Sequence, residues 1–403
     1  MLSENAIDNL IQPIIERQEA LNNYVVNVIA ARVKEIGTLL PSDVYKLERL
    51  LKSGGDVRKI NKQIAKLTGL NEKEIRKLIK EVAKDSYIDT KPYYDYRKQP
   101  FIPFEANKEL QKVVNAIAKQ TVDTYVNLSN ARAFMIRDRK NPTKLKPTTL
   151  SKTYYSVVDE AIQAVQSGTV DYNTAMKRTL KQLSASGLRT VTYHPESGRT
   201  YTQQLDVAVK RNLMDGIRQI NQAVQDETGR QYGADGKEIT VHEHSAPDHE
   251  PIQGHQFTNE EYDKLQEGKP FKDVDGKRFK AIERPIGHYN CRHFTYSIII
   301  GVNKPNFSKK ELEDMKKRNA KGYTDSEGNH YTIYECTQKQ REMERDIRQA
   351  KRDIMAAQKA DNEEMEADAK AKLSKLQKRY NAFSKETGLP KKPNNCRVEG
   401  YKR

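Results

Sequence analysis

Histidine and cysteine are concentrated in one part of this 403-residue chain. Six of its eight histidines lie between positions 242 and 293, namely His242, His244, His249, His255, His288 and His293. Cys291 lies in the same region, two residues before the last of them. Imidazole nitrogen and thiolate sulfur are donors that zinc prefers in proteins. The segment therefore predicts a metal site, and zinc in tetrahedral coordination would suit it.

The spacing within this segment indicates which donors could meet. His242 and His244 are two residues apart, and so are Cys291 and His293. Side chains two apart in a β-strand point to the same face, so two such strands could direct four donors into one pocket. We predict that this pocket holds residues 229–305 together and that its metal ligands are His242, His249, Cys291 and His293.

Other uses of these residues stay open. Buried histidines also bind backbone carbonyls, and the spacing matches no well-known zinc ribbon or finger. Cys291 could be a nucleophile with a histidine base and with Arg292 lowering the thiol pKa, although no glycine-rich oxyanion turn adjoins it. Asp248 and His255 are further candidate ligands. A metal-dependent nuclease would require carboxylates near the histidines, and these are present at Glu243, Asp248 and Glu250.

The composition describes a basic and strongly charged chain. The formal net charge is +16, hydrophobic residues make up 36% and charged residues 31%. A positive balance favours an anionic partner such as nucleic acid or an acidic protein surface. The low hydrophobic content suits a chain that completes its burial on partners. The three cysteines are far apart and form no disulfide framework, which predicts a reducing compartment.

Neither a signal peptide nor a membrane span is evident in the sequence. The N-terminus carries acidic residues and a proline where a signal peptide has a basic start. The longest apolar run, Tyr296 to Val302, is far shorter than a membrane span. We therefore expect a soluble protein that is made in a cytoplasm and has no membrane partner.

Hydrophobic periodicity predicts an α+β fold that is predominantly α-helical. Helices are expected over residues 1–40 and 107–139, and two short helices between them are expected to be separated at Gly69. A β-hairpin is expected near residues 189–202. Four segments result. Residues 1–104 form an N-terminal helical region that ends in a proline- and tyrosine-rich linker, and residues 105–228 form a helical core domain with the hairpin. Residues 229–307 form a small β-containing His/Cys module, and residues 308–403 form a charged helical arm with a basic tail.

The predicted C-terminal arm carries two apolar stripes of heptad spacing. They consist of Met343, Ile347, Ala350, Ile354 and Ala357, and of Leu373, Leu376, Tyr380 and Phe383. The stripes are out of phase, which predicts two helices or one bent helix, each packing a narrow coiled-coil seam against another surface. Self-association through these helices is one way to bury the seams.

Two histidine-containing stretches also resemble a known family. HEHSAPDHEPIQGHQF and NCRHFTYSIIIG are similar to two motifs of the phage minor capsid proteins of the minor capsid protein 2 type. The matching positions are His242, Pro247, His249, Gln253, Gly254 and Phe257 in the first stretch, and Asn290, Cys291, Arg292, His293, Tyr296 and Gly301 in the second. Further similar segments, VDTYVNLSNARAF and TQKQREMERDIRQAKR, extend the resemblance over most of the chain.

The resemblance implies a structural head-morphogenesis protein of a tailed phage, incorporated in low copy near the portal or inside the head. The implied partners are the portal protein, the major capsid protein or a scaffold, and packaged DNA contacted at its phosphates. The implied location is the virion, after synthesis in the host bacterial cytoplasm. No catalytic residue is implied. The alternatives are a metal-dependent nuclease or hydrolase carried in the virion, and a sequence-independent DNA-binding protein.

Two positions depart from the family pattern. Ala246 stands where the pattern has arginine, and Ile252 stands where it has tryptophan. The first departure argues against charge-assisted chemistry at the site. The second indicates core packing by another apolar residue. Both departures favour a structural cluster over a catalytic one.

Overall fold

The structure of the protein, a computed structural model, describes residues 4–37, 54–137, 141, 143–167, 172–194, 199–288 and 291–402. The chain forms two compact units, and each is assembled from three separate stretches of sequence. The first unit contains Met1–Leu10, Glu74–Asp123 and Arg211–Lys339, and the second contains Ile11–Lys73, Thr124–Lys210 and Gln340–Arg403. The division into four consecutive segments stays a prediction about the organisation of the chain.

Helices supply most of the regular structure, which confirms the predicted class of α+β with a predominance of α-helix. They are α1 (Glu4–Gly37), α2 (Gly55–Ile88), α3 (Lys91–Tyr96), α4 (Lys108–Asn130), α5 (Leu150–Ser167), α6 (Tyr172–Ser186), α7 (Leu205–Tyr232), α8 (Asn259–Gln266), α9 (Lys309–Lys321), α10 (Ile333–Lys359) and α11 (Glu363–Thr387). The first of them confirms the helix predicted for residues 1–40 over the part that is described. Among these helices, none combines the length and the apolar character that a membrane crossing requires.

The second unit contains a four-stranded antiparallel sheet in the order β2-β1-β3-β4. Its strands are β1 (Arg132–Arg137), β2 (Leu145–Thr149), β3 (Arg189–His194) and β4 (Arg199–Gln204). Pairing of β3 with β4 places Arg189 opposite Gln204 and His194 opposite Arg199, which confirms the predicted hairpin near residues 189–202.

The helix predicted over residues 107–139 is too long. Helix α4 ends at Asn130, and β1 follows, paired with β2 on one side and with β3 on the other. Phe134, which falls within the predicted helix, is fully buried in this strand instead. A single apolar residue fits a helical or a strand period, so only the partner strands, distant in sequence, decide between them.

Part of the segment predicted as a linker is folded. Residues 91–96 form α3, and Phe104–Ala106 forms a 3-10 turn. The ring of Tyr94 is buried and packs edge-on against Phe101 and Tyr232, with centroids 5.3 and 5.5 Å apart. Aromatic rings bury a large apolar area, so the tyrosines that suggested a linker instead anchor this segment in the first unit.

From Gln340 onwards, helix α10 forms an antiparallel pair with α11 in the second unit. Nε2 of Gln340 donates to Oγ of Ser384 at 3.4 Å, and the Tyr380 hydroxyl lies 3.2 Å from Oε1 of Glu344. Most of the predicted seam is buried within the chain itself, including Met343, Ile347, Ala350, Ile354, Ala357, Leu373, Tyr380 and Phe383. The two helices are therefore part of the core of this unit rather than an arm, and any self-association would use other faces of them.

The sheet that carries the histidine cluster lies in the first unit. Its three antiparallel strands, in the order β6-β5-β9, are β5 (Gly236–Ile239), β6 (Gln256–Thr258) and β9 (Thr295–Ile298). Two short ribbons, β7 (Phe271–Lys272) with β8 (Arg278–Phe279) and β10 (Tyr323–Thr324) with β11 (His330–Tyr331), belong to the same unit. The associated core consists of Ile239, Ile252, Phe257, Tyr262, Leu265, Phe271, Ile286 and Cys291.

Two helical glycines have opposite surroundings, which leads to a paired prediction. A Cβ added to Gly229 in α7 would lie 2.5 Å from Cβ of the buried Ser297 on β9, whereas one added to Gly69 in α2 would meet no atom within 4 Å. We expect Gly229→Ala to destabilise the protein by about 1–3 kcal/mol, because a buried side chain has no room to move away. Gly69→Ala should stabilise it by about 0.5–1 kcal/mol through helix propensity. Denaturant unfolding measures both values, and the same sign for both variants would contradict the close approach of α7 to β9.

Candidate metal centre

The three-stranded sheet positions the predicted donors. Ile239 at the end of β5 lies opposite Thr295 at the start of β9, and the pairing continues because Thr240 N donates to Phe294 O at 3.0 Å. The residues that precede β9 therefore run alongside the residues that follow β5. Cys291 and His293 precede β9, whereas His242 follows β5.

Three of the four predicted ligands come together around one sulfur atom. Sγ of Cys291 lies 3.6 Å from Nδ1 of His293, two residues further along the chain. Nδ1 of His249 approaches the same sulfur at 3.5 Å. The donor atoms of these three residues all lie within 4.8 Å of one another. Each of the three residues is at most 4% exposed, so the cluster is shielded from solvent.

The ring of His249 is held by a loop and by a carbonyl distant in sequence. Backbone N of His249 donates to Ala246 O at 3.0 Å, which closes a turn. The outer ring nitrogen, Nε2, lies 2.6 Å from the carbonyl O of Arg284 and must donate to it. Arg284 is itself fixed by a two-pronged ion pair with Asp248, 2.8 Å from Nε and 2.9 Å from Nη2. The lone pair of Nδ1 is therefore available towards the sulfur whenever the ring is neutral.

The ring of His293 is oriented in a similar way. Its Nε2 lies 3.3 Å from Oε1 of Gln253 and 3.4 Å from Oγ of Ser245. The same Gln253 oxygen accepts the backbone N–H of His242 at 2.9 Å, which ties the loop to the end of β5. Histidines that bind metals usually donate their outer N–H to an oxygen, because this sets the tautomer and the ring orientation. Both histidines of the cluster have this arrangement.

The buried environment changes the protonation of the cluster. Burial alone would raise the pKa of the Cys291 thiol, but hydrogen bonding to His249 and to the backbone holds it below its ordinary value. Burial alone would lower the pKa of His249, yet its contacts with the sulfur and with the Arg284 carbonyl raise it. Burial, together with the neighbouring His242 and His249, lowers the pKa of His293 to about 2, so this ring is neutral at neutral pH. The sulfur and His249 thus share a proton that a metal ion would displace.

The distances suit a tetrahedral metal ion. With a metal–sulfur bond of about 2.3 Å and a metal–nitrogen bond of about 2.0–2.1 Å, the two donors of a tetrahedral zinc site lie about 3.5–3.6 Å apart. The two S···N distances here are 3.5 and 3.6 Å. A hydrogen bond between thiol and imidazole has a similar length. The cluster can therefore bind a metal ion through one thiolate and two imidazoles, or hold the shared proton.

His242 lies against the cluster but outside its closest donors. Its ring meets the ring of His293 edge-on, with centroids 4.6 Å apart. Within the described part of the chain, the mutually close donors do not include His242, so its role as a fourth ligand stays a prediction. The expectation that His242 and His244 share a strand face is wrong. Strand β5 ends at Ile239, and His244 has a left-handed φ of +59°, which breaks the alternation of side chains.

The remaining candidates have other partners. Asp248 forms the ion pair with Arg284, and Nδ1 of His255 lies 2.7 Å from Oδ2 of Asp273. Burial lowers the pKa of His255. Sequence reasoning missed Arg284, whose carbonyl lies 35 positions from His249 and has no sequence pattern that could have revealed it.

The departures from the family motifs have a structural explanation at one position. Ile252 is 1% exposed and belongs to the core beside the cluster, which confirms the prediction that this position serves packing. Ala246 contributes its carbonyl oxygen to the turn that places His249, a contact that any residue can make. Asn290 of the second motif lies outside the described residues.

Comparison with known proteins identifies the family of the chain. The model of the family described as Phage minor capsid protein 2 matches residues 2–385, nearly the whole length. A search of curated proteins and a search of solved structures found no match. The family match agrees with the resemblance of the two histidine-containing stretches. The chain belongs to the phage minor capsid protein 2 family.

Proposed function

We propose that this protein is a structural minor capsid protein of a tailed phage, made in the host bacterial cytoplasm and incorporated in low copy near the portal or inside the head. There it would assist capsid assembly or DNA packaging through contacts with the portal protein, the major capsid protein or a scaffold. The family match over residues 2–385 carries this proposal, because a minor capsid family implies a location in the virion. The net charge of +16 supports contacts with acidic partners.

Quantitative mass spectrometry of purified phage particles tests this proposal. Peptides of this chain are counted against peptides of the portal protein in the same sample. We expect a fixed ratio between a few and a few tens of copies per particle, and a ratio that is unchanged after nuclease and salt washing. Absence from washed particles would overturn the virion role.

We further propose that the His249, Cys291 and His293 cluster binds zinc as a structural ion. The two S···N distances of 3.5 and 3.6 Å and the oxygen acceptors on both outer ring nitrogens support this assignment. Metal analysis of the purified full chain is expected to give one zinc per molecule. A zinc content near zero in protein prepared without chelator would leave the cluster as a hydrogen-bonded core.

A structural role for this ion is favoured over catalysis. The three donor residues are almost completely buried, and a catalytic ion needs a position that substrate or water can reach. We therefore propose that the protein is not an enzyme. The rival function is a metal-dependent nuclease or hydrolase, and assays on duplex DNA with and without added divalent metal test it. Turnover that disappears in Cys291→Ser would favour the enzyme.

Contact with packaged DNA is proposed for one exposed helical face in the second unit. Lys59, Lys62, Lys66 and Lys73 of α2 are exposed and lie three, four and seven residues apart, so they share one face of the helix. The charge of Lys59 acts on the nearby carboxylate of Asp56, whereas no ion pair with a described residue is seen for the other three. A row of exposed lysines suits phosphate contacts that do not depend on base sequence.

Neutralising part of this row should change how DNA binding depends on salt. We expect the triple variant Lys59→Gln, Lys62→Gln, Lys66→Gln to reduce the slope of log affinity against log salt by about 3. A matched variant neutralises Lys91, Lys112 and Lys264, each of which has a carboxylate partner on its own helix at 2.8 Å. Fluorescence anisotropy with duplex DNA measures both slopes. Equal slopes would show that net charge, rather than this face, determines binding.

A further inference from the structure

The four-stranded sheet of the second unit has two outer edges, and only one of them is protected. In the order β2-β1-β3-β4 the outermost strands are β2 and β4, and no described strand pairs with the outer side of either. An open edge can pair with a strand of another chain, so folded proteins usually protect edge strands with lysine or proline. Strand β2 carries the exposed Lys146 and Pro147, whereas β4 contains neither residue type.

The residues of β4 suit pairing with a further strand. In a chain with 31% charged residues, the five residues from Thr200 to Gln204 carry no charge. Threonine and tyrosine favour β-structure. Tyr201 is 47% exposed, which is high for a large aromatic side chain in a strand. An uncharged segment of high β-propensity without proline readily adds to another strand.

The hydrogen-bond pattern decides which backbone groups of β4 face the open edge. Leu205 N donates to Leu188 O at 2.9 Å, in register with the pairing of β3 and β4. In an antiparallel ladder, pairs that exchange hydrogen bonds alternate with pairs that do not. Tyr201, an even number of residues from Leu205, therefore directs its backbone groups towards β3. Thr200 and Thr202 direct their N–H and C=O groups towards the open edge.

This alternation selects a register in which β4 can pair with β4 of a second copy. Antiparallel pairing that uses Thr200 and Thr202 of both copies places Thr200 of one copy opposite Thr202 of the other. Tyr201 then lies opposite Tyr201 of the second copy, at a position without hydrogen bonds, where cross-strand side chains are closest. Aromatic cross-strand pairs are favourable, and the same register places Arg199 opposite Gln203, so like charges do not face each other.

We infer that the β4 edge is a self-association surface, through which two copies of this chain pair antiparallel and form one sheet with four strands from each copy. The backbone groups of Thr200 and Thr202 supply the hydrogen bonds between the copies, and the two Tyr201 rings cover each other at the centre. A second copy fits this edge because the strand is complementary to itself and carries no charge that would select a different partner. The inference is independent of the virion role and of the zinc site.

Cysteine crosslinking of the full-length protein tests the pairing and its register. Residues that face each other at such a position have Cα atoms about 4.5 Å apart, within the range that a disulfide spans. A Cys396→Ser background leaves only the buried Cys291 and Cys336. In it we expect Tyr201→Cys to form a covalent dimer under mild oxidation, seen on a non-reducing gel, and Thr202→Cys to form far less. Crosslinking of Tyr201→Cys that is no stronger than that of Thr202→Cys would overturn the inference.

Sedimentation velocity over a concentration series measures the association itself. We expect the parent protein to show a reversible equilibrium between monomer and dimer. Thr202→Pro removes an N–H that faces away from β3, so the fold should persist. Dimerisation should weaken by at least about tenfold, because both copies lose a donor between the strands. Thr202→Val keeps the N–H and is the matched control, expected to dimerise like the parent.

Two results would contradict the β4 dimer in this experiment. One is a parent protein that stays monomeric at every concentration. The other is a Thr202→Pro variant that keeps the circular dichroism spectrum of the parent and also its dimerisation. Because Tyr201→Cys leaves the backbone donors unchanged, the crosslinking result stays decisive if Thr202→Pro fails to fold.

Discussion

Cys291→Ser is expected to abolish stoichiometric zinc binding and to lower the free energy of unfolding by about 4 kcal/mol or more. The serine hydroxyl is a poor zinc ligand, so of the three clustered donors the ion would keep only His249 and His293. Because these donors belong to the loop before β6 and to the stretch before β9, loss of the ion would separate two parts of one core. Binding of a metal that is absent from the unfolded chain contributes directly to folding stability. Metal analysis and denaturant unfolding of the same preparation measure the two effects.

The matched control is Cys336→Ser. Cys336 is a second buried cysteine in the first unit, 0% exposed, and its sulfur lies 4.0 Å from the carbonyl O of Tyr331. Among the described residues it is not part of the group of mutually close metal donors. We expect this variant to keep its zinc and to lose only about 1 kcal/mol. If both cysteine variants lose similar stability and neither changes the metal content, the zinc proposal fails and the cluster is a hydrogen-bonded core.

Glu19→Gln is expected to stabilise the protein at pH 8 by about 3 kcal/mol and to change little near pH 5. Glu19 of α1 is buried in the second unit, where Nη2 of Arg352 lies 4.0 Å from it and 3.3 Å from Asp206. Burial, with the charge of Asp206 added, raises the pKa of Glu19 from 4.5 to about 7. Arg352 is therefore shared between two carboxylates, and ionisation of Glu19 costs free energy in the folded protein.

The sign of this pH dependence follows from proton binding. Between pH 4.5 and about pH 7 the folded protein keeps the proton on Glu19, whereas the unfolded chain has lost it. The contribution of Glu19 to the free energy of unfolding therefore decreases as pH rises through that window, and it stays low at higher pH. Glutamine has no proton to lose, so the difference between variant and parent should grow by about 2–3 kcal/mol from pH 5 to pH 8.

Glu16→Gln provides the control on the same helix. Glu16 lies one turn before Glu19, is partly exposed and forms an ion pair with Arg397 at 3.0 Å. Its neutralisation removes a surface pair worth less than about 1 kcal/mol. Urea unfolding of both variants at several pH values separates the two cases. A stability difference for Glu19→Gln that is the same at pH 5 and pH 8 would contradict the raised pKa.

The candidate metal site was partly predictable from residue order. Cys291 and His293 are two apart just before β9, and their donor atoms lie 3.6 Å apart, so their convergence agrees with the expectation from sequence spacing. His249 could be named as a ligand, but its position depends on a turn closed by the Ala246 carbonyl and on the Arg284 carbonyl. The expected pairing of His242 with His244 failed because His244 adopts a left-handed conformation. Such a turn conformation has no periodic signal in the sequence.

In the helices, too, features that depend on local spacing were predicted, whereas features that depend on tertiary contacts were not. The heptad stripes predicted the buried seam residues of α10 and α11, because helical spacing is a local property. The break predicted at Gly69 is wrong, since α2 continues from Gly55 to Ile88. Asn71, two residues after Gly69, is fully buried, and its side-chain Nδ2 donates to the Tyr125 hydroxyl at 3.0 Å. Tertiary contacts here outweigh the low helix propensity of glycine.

By itself, the sequence determined the helical character of this protein, the region that could bind a metal and the family motifs, because each depends on residue types at short spacing. Only the tertiary structure decided that residues 132–137 are a strand, that the C-terminal seams are buried within the chain, and that the Arg284 carbonyl orients His249. These contacts join stretches that lie far apart in the chain, and no local pattern encodes which of them will meet.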